Sequence, residues 1–296
     1  MLLNIIKNKH LIMKNSKTIL LFFALSFSLI FQNCTSDDNQ ESGLDVPQVS
    51  PSNLNMDDAD HATVSGFGPN SYWANYLINQ SVTNFLKGQH DSAASLFGMG
   101  NVPLYYAAGP GTFNALSFSG GYVVWGEELL ASANNYGNAA IAYVAAHEIA
   151  HQVQFRTSGI PSRSHVSATE LEADGFGGYY IRKRYTSNWT TAAQGYTFSQ
   201  TLAGPVNSSH GSASQRRSAY RLGYLIAENG NYSNRNFDYT FFYYYDQYVL
   251  GGLLRSEVKK PKNVSEEIHE YISSFSEELQ KIASGEISEE EFINLK

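Results

Sequence analysis

Apolar positions recur at Ile141, Val144, Ala145, Ile149 and Val153 in an alanine-rich run. That is the i, i+3, i+4 spacing of one helical face, and it predicts a helix over residues 138–156. Asn138 stands where a helix cap belongs, and Gly159 and Pro161 stand where the helix should stop. Trp73, Tyr76, Leu77, Phe85 and Leu86 predict an earlier helix over 72–87, with Gly88 as its stop. Further helices are expected near 167–185 and 212–229. Two β-rich runs bounded by Gly and Pro, 102–107 and 121–125, predict short strands. The aromatic block at 237–254 reads as a helix buried on more than one side, its rings serving as core. From residue 263 onward, Ile268, Tyr271, Ile272, Phe275, Leu279 and Ile282 mark an amphipathic helical tail, followed by a second short helix. The expected fold class is α+β and predominantly helical, with a small antiparallel sheet packed on the 138–156 helix.

The N-terminal pattern is of another kind. Lys7, Lys9, Lys14 and Lys17 lead into an apolar run over residues 19–31. The run is too short to span a bilayer and suits the core of an export signal. Cys34, the single cysteine, follows at once, so no internal disulfide is available. Residues 35–60 carry acids but no Lys or Arg, the composition of a solvated tether. The chain therefore divides into a signal (1–33), an acidic tether (34–65), a folded domain (66–256) and a helical tail (257–296). Loss of residues 1–33 removes those four lysines and no acid, moving the formal charge of −7 further negative. Such a chain offers no basic face for nucleic acid.

The chemistry sits inside the 138–156 helix, at His147-Glu148-Ile149-Ala150-His151. Residues at i and i+4 share a helical face, so His147 and His151 can hold one metal ion, with Glu148 as a base beside it. A catalytic zinc requires a third protein ligand. Glu170 and Asp174, four apart on the next helix, offer a ligand and an acceptor for a ligand histidine. Ser167 and Glu170 also match a capping box, which a metal-bound Glu170 could not close. Glu172 is the rival ligand, although it points about 200° away from Glu170 around a helix. Gly175, Gly177 and Gly178 would let this helix approach the first closely.

His147 to His151 with Gln152 and Gln154, followed by Glu170-Leu171-Glu172-Ala173-Asp174, resembles the neutral zinc metallopeptidase family of bacterial membrane-associated proteins, within the thermolysin-like zincins. His210 to Arg217 and Tyr220 to Tyr224 are similar to a later block of that family. The resemblance covers roughly residues 100–225 and departs at Gly175, where the family often has cysteine. It implies a zincin fold, Zn2+ held by His147, His151 and Glu170, Asp174 orienting a histidine, and Glu148 as catalytic base. Ile30-Phe31-Gln32-Asn33-Cys34 resembles a relaxed lipobox, which implies lipid on Cys34, a membrane anchor through it, and a periplasmic or cell-surface location.

The expected activity is zinc-dependent cleavage of peptide or protein substrates outside the cytoplasm. His210 is the expected catalytic donor to the developing oxyanion, with His165 and a tyrosine as rivals. Val123 and Val124 are expected on an edge strand that pairs with substrate. Asn114-Ala115-Leu116 resembles the segment ahead of that strand in several zincins. Two other readings remain: a non-catalytic surface lipoprotein that uses the core to bind a partner, and a zinc amidase acting on cell-wall peptides.

Overall fold

The alanine-rich stretch is the centre of the molecule. A computed structural model of the protein describes residues 64, 66–157, 166–202, 211–249 and 259–296. The signal segment, Cys34, most of the tether, His165 and His210 lie outside the described residues. The helices are α1 (Gln80–Leu96), α2 (Glu127–Tyr136), α3 (Asn138–Arg156), α4 (Val166–Tyr180), α5 (Trp189–Tyr196), α6 (Ala213–Asn229), α7 (Asn234–Tyr248), α8 (Glu266–Ser274), α9 (Ser276–Ser284) and α10 (Glu289–Ile293). Alanine side chains let neighbours approach α3 from all sides, and every residue from Ala139 to Ala150 is buried. A helix apolar all round belongs inside a protein. Its first residue is Asn138, preceded by Gly137 at φ 103°, so Asn138 is not the cap. It ends at Arg156, short of the expected Gly159 and Pro161, which lie outside the described residues.

Four strands, β1 (Tyr72–Ala74), β2 (Leu104–Ala108), β3 (Ala115–Phe118) and β4 (Tyr122–Gly126), form one sheet in the order β1-β2-β4-β3. The α+β class and helical predominance hold. The expected antiparallel sheet does not: β2 and β4 run parallel, with antiparallel partners on either side. After β2 the chain crosses to the far edge, lays down β3 and turns back, so β4 fills the gap between them. Val123 and Val124 are therefore interior, and the edges are β1 and β3. Residues 72–74 form a strand rather than helix. The helix begins later, at Gln80, where the Asn79 side chain accepts from the Val82 N–H. Gly88 lies within that helix rather than ending it, with nothing near enough to touch an added Cβ.

Three glycines set the helix spacing around α4. A Cβ on Gly177 would meet the Tyr143 ring of α3 at 2.7 Å. Gly178 faces α6 instead, where a Cβ would lie 2.1 Å from the Tyr220 carbonyl oxygen, and a Cβ on Gly175 would run into the Phe241 ring of α7. Gly177 thus brings α4 close to α3, Gly178 to α6 and Gly175 to α7. Reciprocally, a Cβ on Gly223 would stand 1.9 Å from the Gly175 carbonyl oxygen. Backbone cannot yield as a flexible side chain can. Gly223→Ala is expected to destabilise by about 1–3 kcal/mol, lowering the thermal midpoint, whereas Gly88→Ala should raise it slightly. Thermal unfolding of the two variants side by side checks both; no loss in Gly223→Ala would contradict the close helix crossing.

The aromatic block forms α7, and Phe237, Phe241, Phe242, Tyr244 and Tyr245 are buried in the core, as expected. The tail is three helices rather than two, broken at Phe275, and it packs into the same core through Ile272, Leu279, Ile282 and Phe292. Buried Arg221 of α6 ties it down: its Nε donates to Glu278 at 2.7 Å and its guanidinium lies 4.3 Å from the Trp189 ring. Among the described residues, no helix is long and apolar enough to cross a membrane.

Candidate metal centre

The two histidines are one turn apart on α3, and α4 crosses beside them. His147 Nε2 and His151 Nε2 are 3.2 Å apart. One Glu170 oxygen lies 3.5 Å from the former and the other lies 3.6 Å from the latter. A four-coordinate ion with bonds of about 2.0–2.1 Å spaces its ligand atoms about 3.3–3.4 Å apart. The two imidazole nitrogens are close to that spacing and a Glu170 oxygen stands near each, so this group could hold a metal ion.

The ring contacts decide which nitrogen is free. His147 Nδ1 lies 3.0 Å from Asp174 Oδ1. An ionised carboxylate only accepts, so Nδ1 carries the hydrogen and Nε2 presents a lone pair. Asp174 is held ionised. Burial alone would raise its carboxyl, but the Arg216 guanidinium and His147 bring it well below the usual range. Arg216 Nε donates to Oδ2 at 2.7 Å and Nη2 to Oδ1 at 2.9 Å, a bidentate grip. The Tyr143 hydroxyl, one turn before His147, also donates to Oδ1.

His151 Nδ1 lies 2.8 Å from Gln154 Oε1. Its Nε2 lone pair and that of His147 thus face one another and a carboxylate. Such a cluster calls for a cation between its members. Without a metal, that cation is a proton. Burial works against a charged His147, yet Asp174 and Glu170 push its pKa up to about 9.

Glu148 is 5% exposed, one position round the helix from His147, on the side of the sheet. Burial raises its carboxyl above the usual range, against the pull of His151 and His147. The β3–β4 hairpin is fastened to this side. The Ser117 hydroxyl donates to the Glu148 carbonyl at 2.5 Å, and Gln152 Nε2 donates to the carbonyls of Phe118 at 2.9 Å and Tyr122 at 3.2 Å. The Gly126 N–H donates to the Asn114 carbonyl, so 114 and 126 are a bonded pair. Strand alternation then turns the main-chain groups of Ala115 and Ser117 toward the open side of β3. Asn114-Ala115-Leu116 therefore runs into the edge strand itself.

The structure brings together His147, Glu148, His151, Glu170 and Asp174. It keeps Glu172 out of the ligand triangle. His210 and its rival His165 fall outside the described residues. Reasoning from spacing missed Arg216, Tyr143 and Gln154 as supports. Tyr143 had a readable signal, since 143, 147 and 151 share a helical face, but the separation of 42 positions between Asp174 and Arg216 carries none. Comparison of the chain with protein-family models, with curated proteins and with solved structures finds no match.

Proposed function

We propose that this protein is a zinc-dependent endopeptidase of the zincin class, exported and tethered to a bacterial membrane by lipid on Cys34. The observation that carries the reading is the triangle of His147, His151 and Glu170, with a buried, unchelated carboxylate at Glu148 beside it. The donor set of two imidazoles and one carboxylate suits zinc. A bound zinc ion would supply Lewis acidity, bringing the pKa of a water molecule close to neutral.

The protein's own residues do the rest. Glu148 accepts the proton of the attacking water and returns it to the leaving amine. Its apolar surroundings favour that exchange by making the carboxylate a stronger base than one in water. Asp174 and Gln154 keep the imidazoles turned toward the ion. The edge of β3 offers the Ser117 main-chain groups to an extended peptide, which would add as a fifth strand alongside Glu148; the Ala115 N–H is already taken by Asn114 Oδ1. Strand addition of this kind favours a peptide over a compact amide substrate. Glu148 also favours an enzyme over a pure binding module, which has no need of a buried base there.

Metal removal tests this directly. The purified protein should carry one zinc per chain and cleave casein. A zinc chelator should abolish cleavage, and added zinc should restore it. Cleavage of purified peptidoglycan but not casein would favour the amidase reading. Zinc binding without hydrolysis of either would favour a binding module.

A further inference from the structure

The two histidines meet the same requirement in different ways, and the difference gives Glu172 a role. His147 is held by an ion, Asp174. His151 is held by a neutral amide, Gln154, and an amide can be turned either way. Two acceptors decide which way. Gln154 Nε2 lies 2.9 Å from Glu172 Oε2 and 2.7 Å from the Thr169 carbonyl oxygen. Turning the amide over would set its oxygen against a carboxylate and a carbonyl, both acceptors. Nε2 must therefore face α4, leaving Oε1 toward His151 Nδ1 at 2.8 Å. That ring nitrogen must then carry the hydrogen, and the Nε2 lone pair is left for a metal.

We infer that Gln154, oriented by the Thr169 carbonyl and Glu172, is a positioning residue that fixes the tautomer of His151. It draws on α4 at the residues flanking the third ligand, Thr169 before Glu170 and Glu172 two beyond it. One helix thus supplies a ligand and also orients a ligand of the other helix. This role rests on the metal-site reading above but not on peptide hydrolysis.

The test reads the ring directly. In the full chain, labelled with 15N at histidine, stripped of metal and held in buffer alkaline enough to deprotonate His147, whose pKa is about 9, NMR distinguishes Nδ1–H from Nε2–H rings. His151 should be the Nδ1–H form. In Glu172→Gln the Thr169 carbonyl still holds Gln154 Nε2, so the tautomer and the zinc affinity should persist. Adding Gln154→Met to that variant removes the acceptor from His151 Nδ1 without leaving a lone buried carboxylate. The Nε2–H form should then appear, and zinc affinity, measured by competition with a chromophoric chelator, should fall by roughly 10–100-fold.

A simple cross-link between α3 and α4 could be removed without moving the His151 hydrogen. An unchanged tautomer and zinc affinity in the double variant would therefore overturn the inference, as would their loss in Glu172→Gln alone, where Thr169 still orients the amide. If the wild-type chain proved not to bind zinc, the metal reading would fall by itself, because the tautomer is measured without metal.

Discussion

Glu148→Gln should lower peptide hydrolysis by roughly 10²–10⁴-fold while leaving zinc content unchanged. Gln matches Glu in size but cannot accept and return the proton. Glu148 is not one of the three residues whose ligand atoms converge, so the ion should keep its full set of protein ligands. The β3 clamp should also persist, because Ser117 donates to the main-chain carbonyl of residue 148, which the substitution leaves in place. Loss should therefore fall on kcat with little change in KM, the signature of an interaction made in the transition state. Steady-state kinetics on a fluorogenic peptide, with zinc counted by atomic absorption on the same sample, decides it. Full activity would remove Glu148 as base. Loss of activity together with loss of zinc would show that Glu148 supports the metal instead.

The core of this site is legible because helices are periodic. His147 and His151 announce a shared face by spacing alone, and so do Glu170 and Asp174. The step of about 100° per residue is enough to rank Glu170 above Glu172 on spacing alone. That step says nothing of what lies across a gap. Glu172 does point away from the triangle, yet it is buried against Gln154 on the other helix, a contact no one-dimensional pattern contains. Arg216 is hidden for the same reason, and so is the division of Gly175, Gly177 and Gly178 among three neighbours. The sheet is harder still to read. β1 has three residues and β3 four, too few for alternation to stand out. Strand order then depends on the chain skipping a place and returning, which puts Val123 and Val124 inside. Gly88 misleads because an exposed glycine within a helix costs only about 1 kcal/mol relative to alanine. A well-capped helix such as the one beginning at Gln80 can absorb that.

Breaking the Arg216–Asp174 pair should cost the fold more than any other single substitution at this site. Arg216 is 4% exposed and Asp174 is fully buried. Arg216→Met would leave a buried carboxylate facing only Tyr143 and His147. Removing one partner of a buried ion pair typically costs about 3–5 kcal/mol, which for a domain of this size is roughly 6–20 °C in thermal midpoint. Asp174→Asn should be costly for the mirror reason, an unpaired guanidinium. The double variant should cost clearly less than the sum of the two, because neither partner is then left as a lone buried charge. Chemical denaturation of all four proteins in the presence of a chelator isolates this term from metal binding. Additive losses would mean that the two charges act independently, and the bidentate contact would not be what holds Asp174. Coupling of about 1 kcal/mol or more would tie α6 to the orientation of His147. Arg216→Met should then also weaken zinc, since the aspartate that turns His147 toward the ion would have lost its anchor.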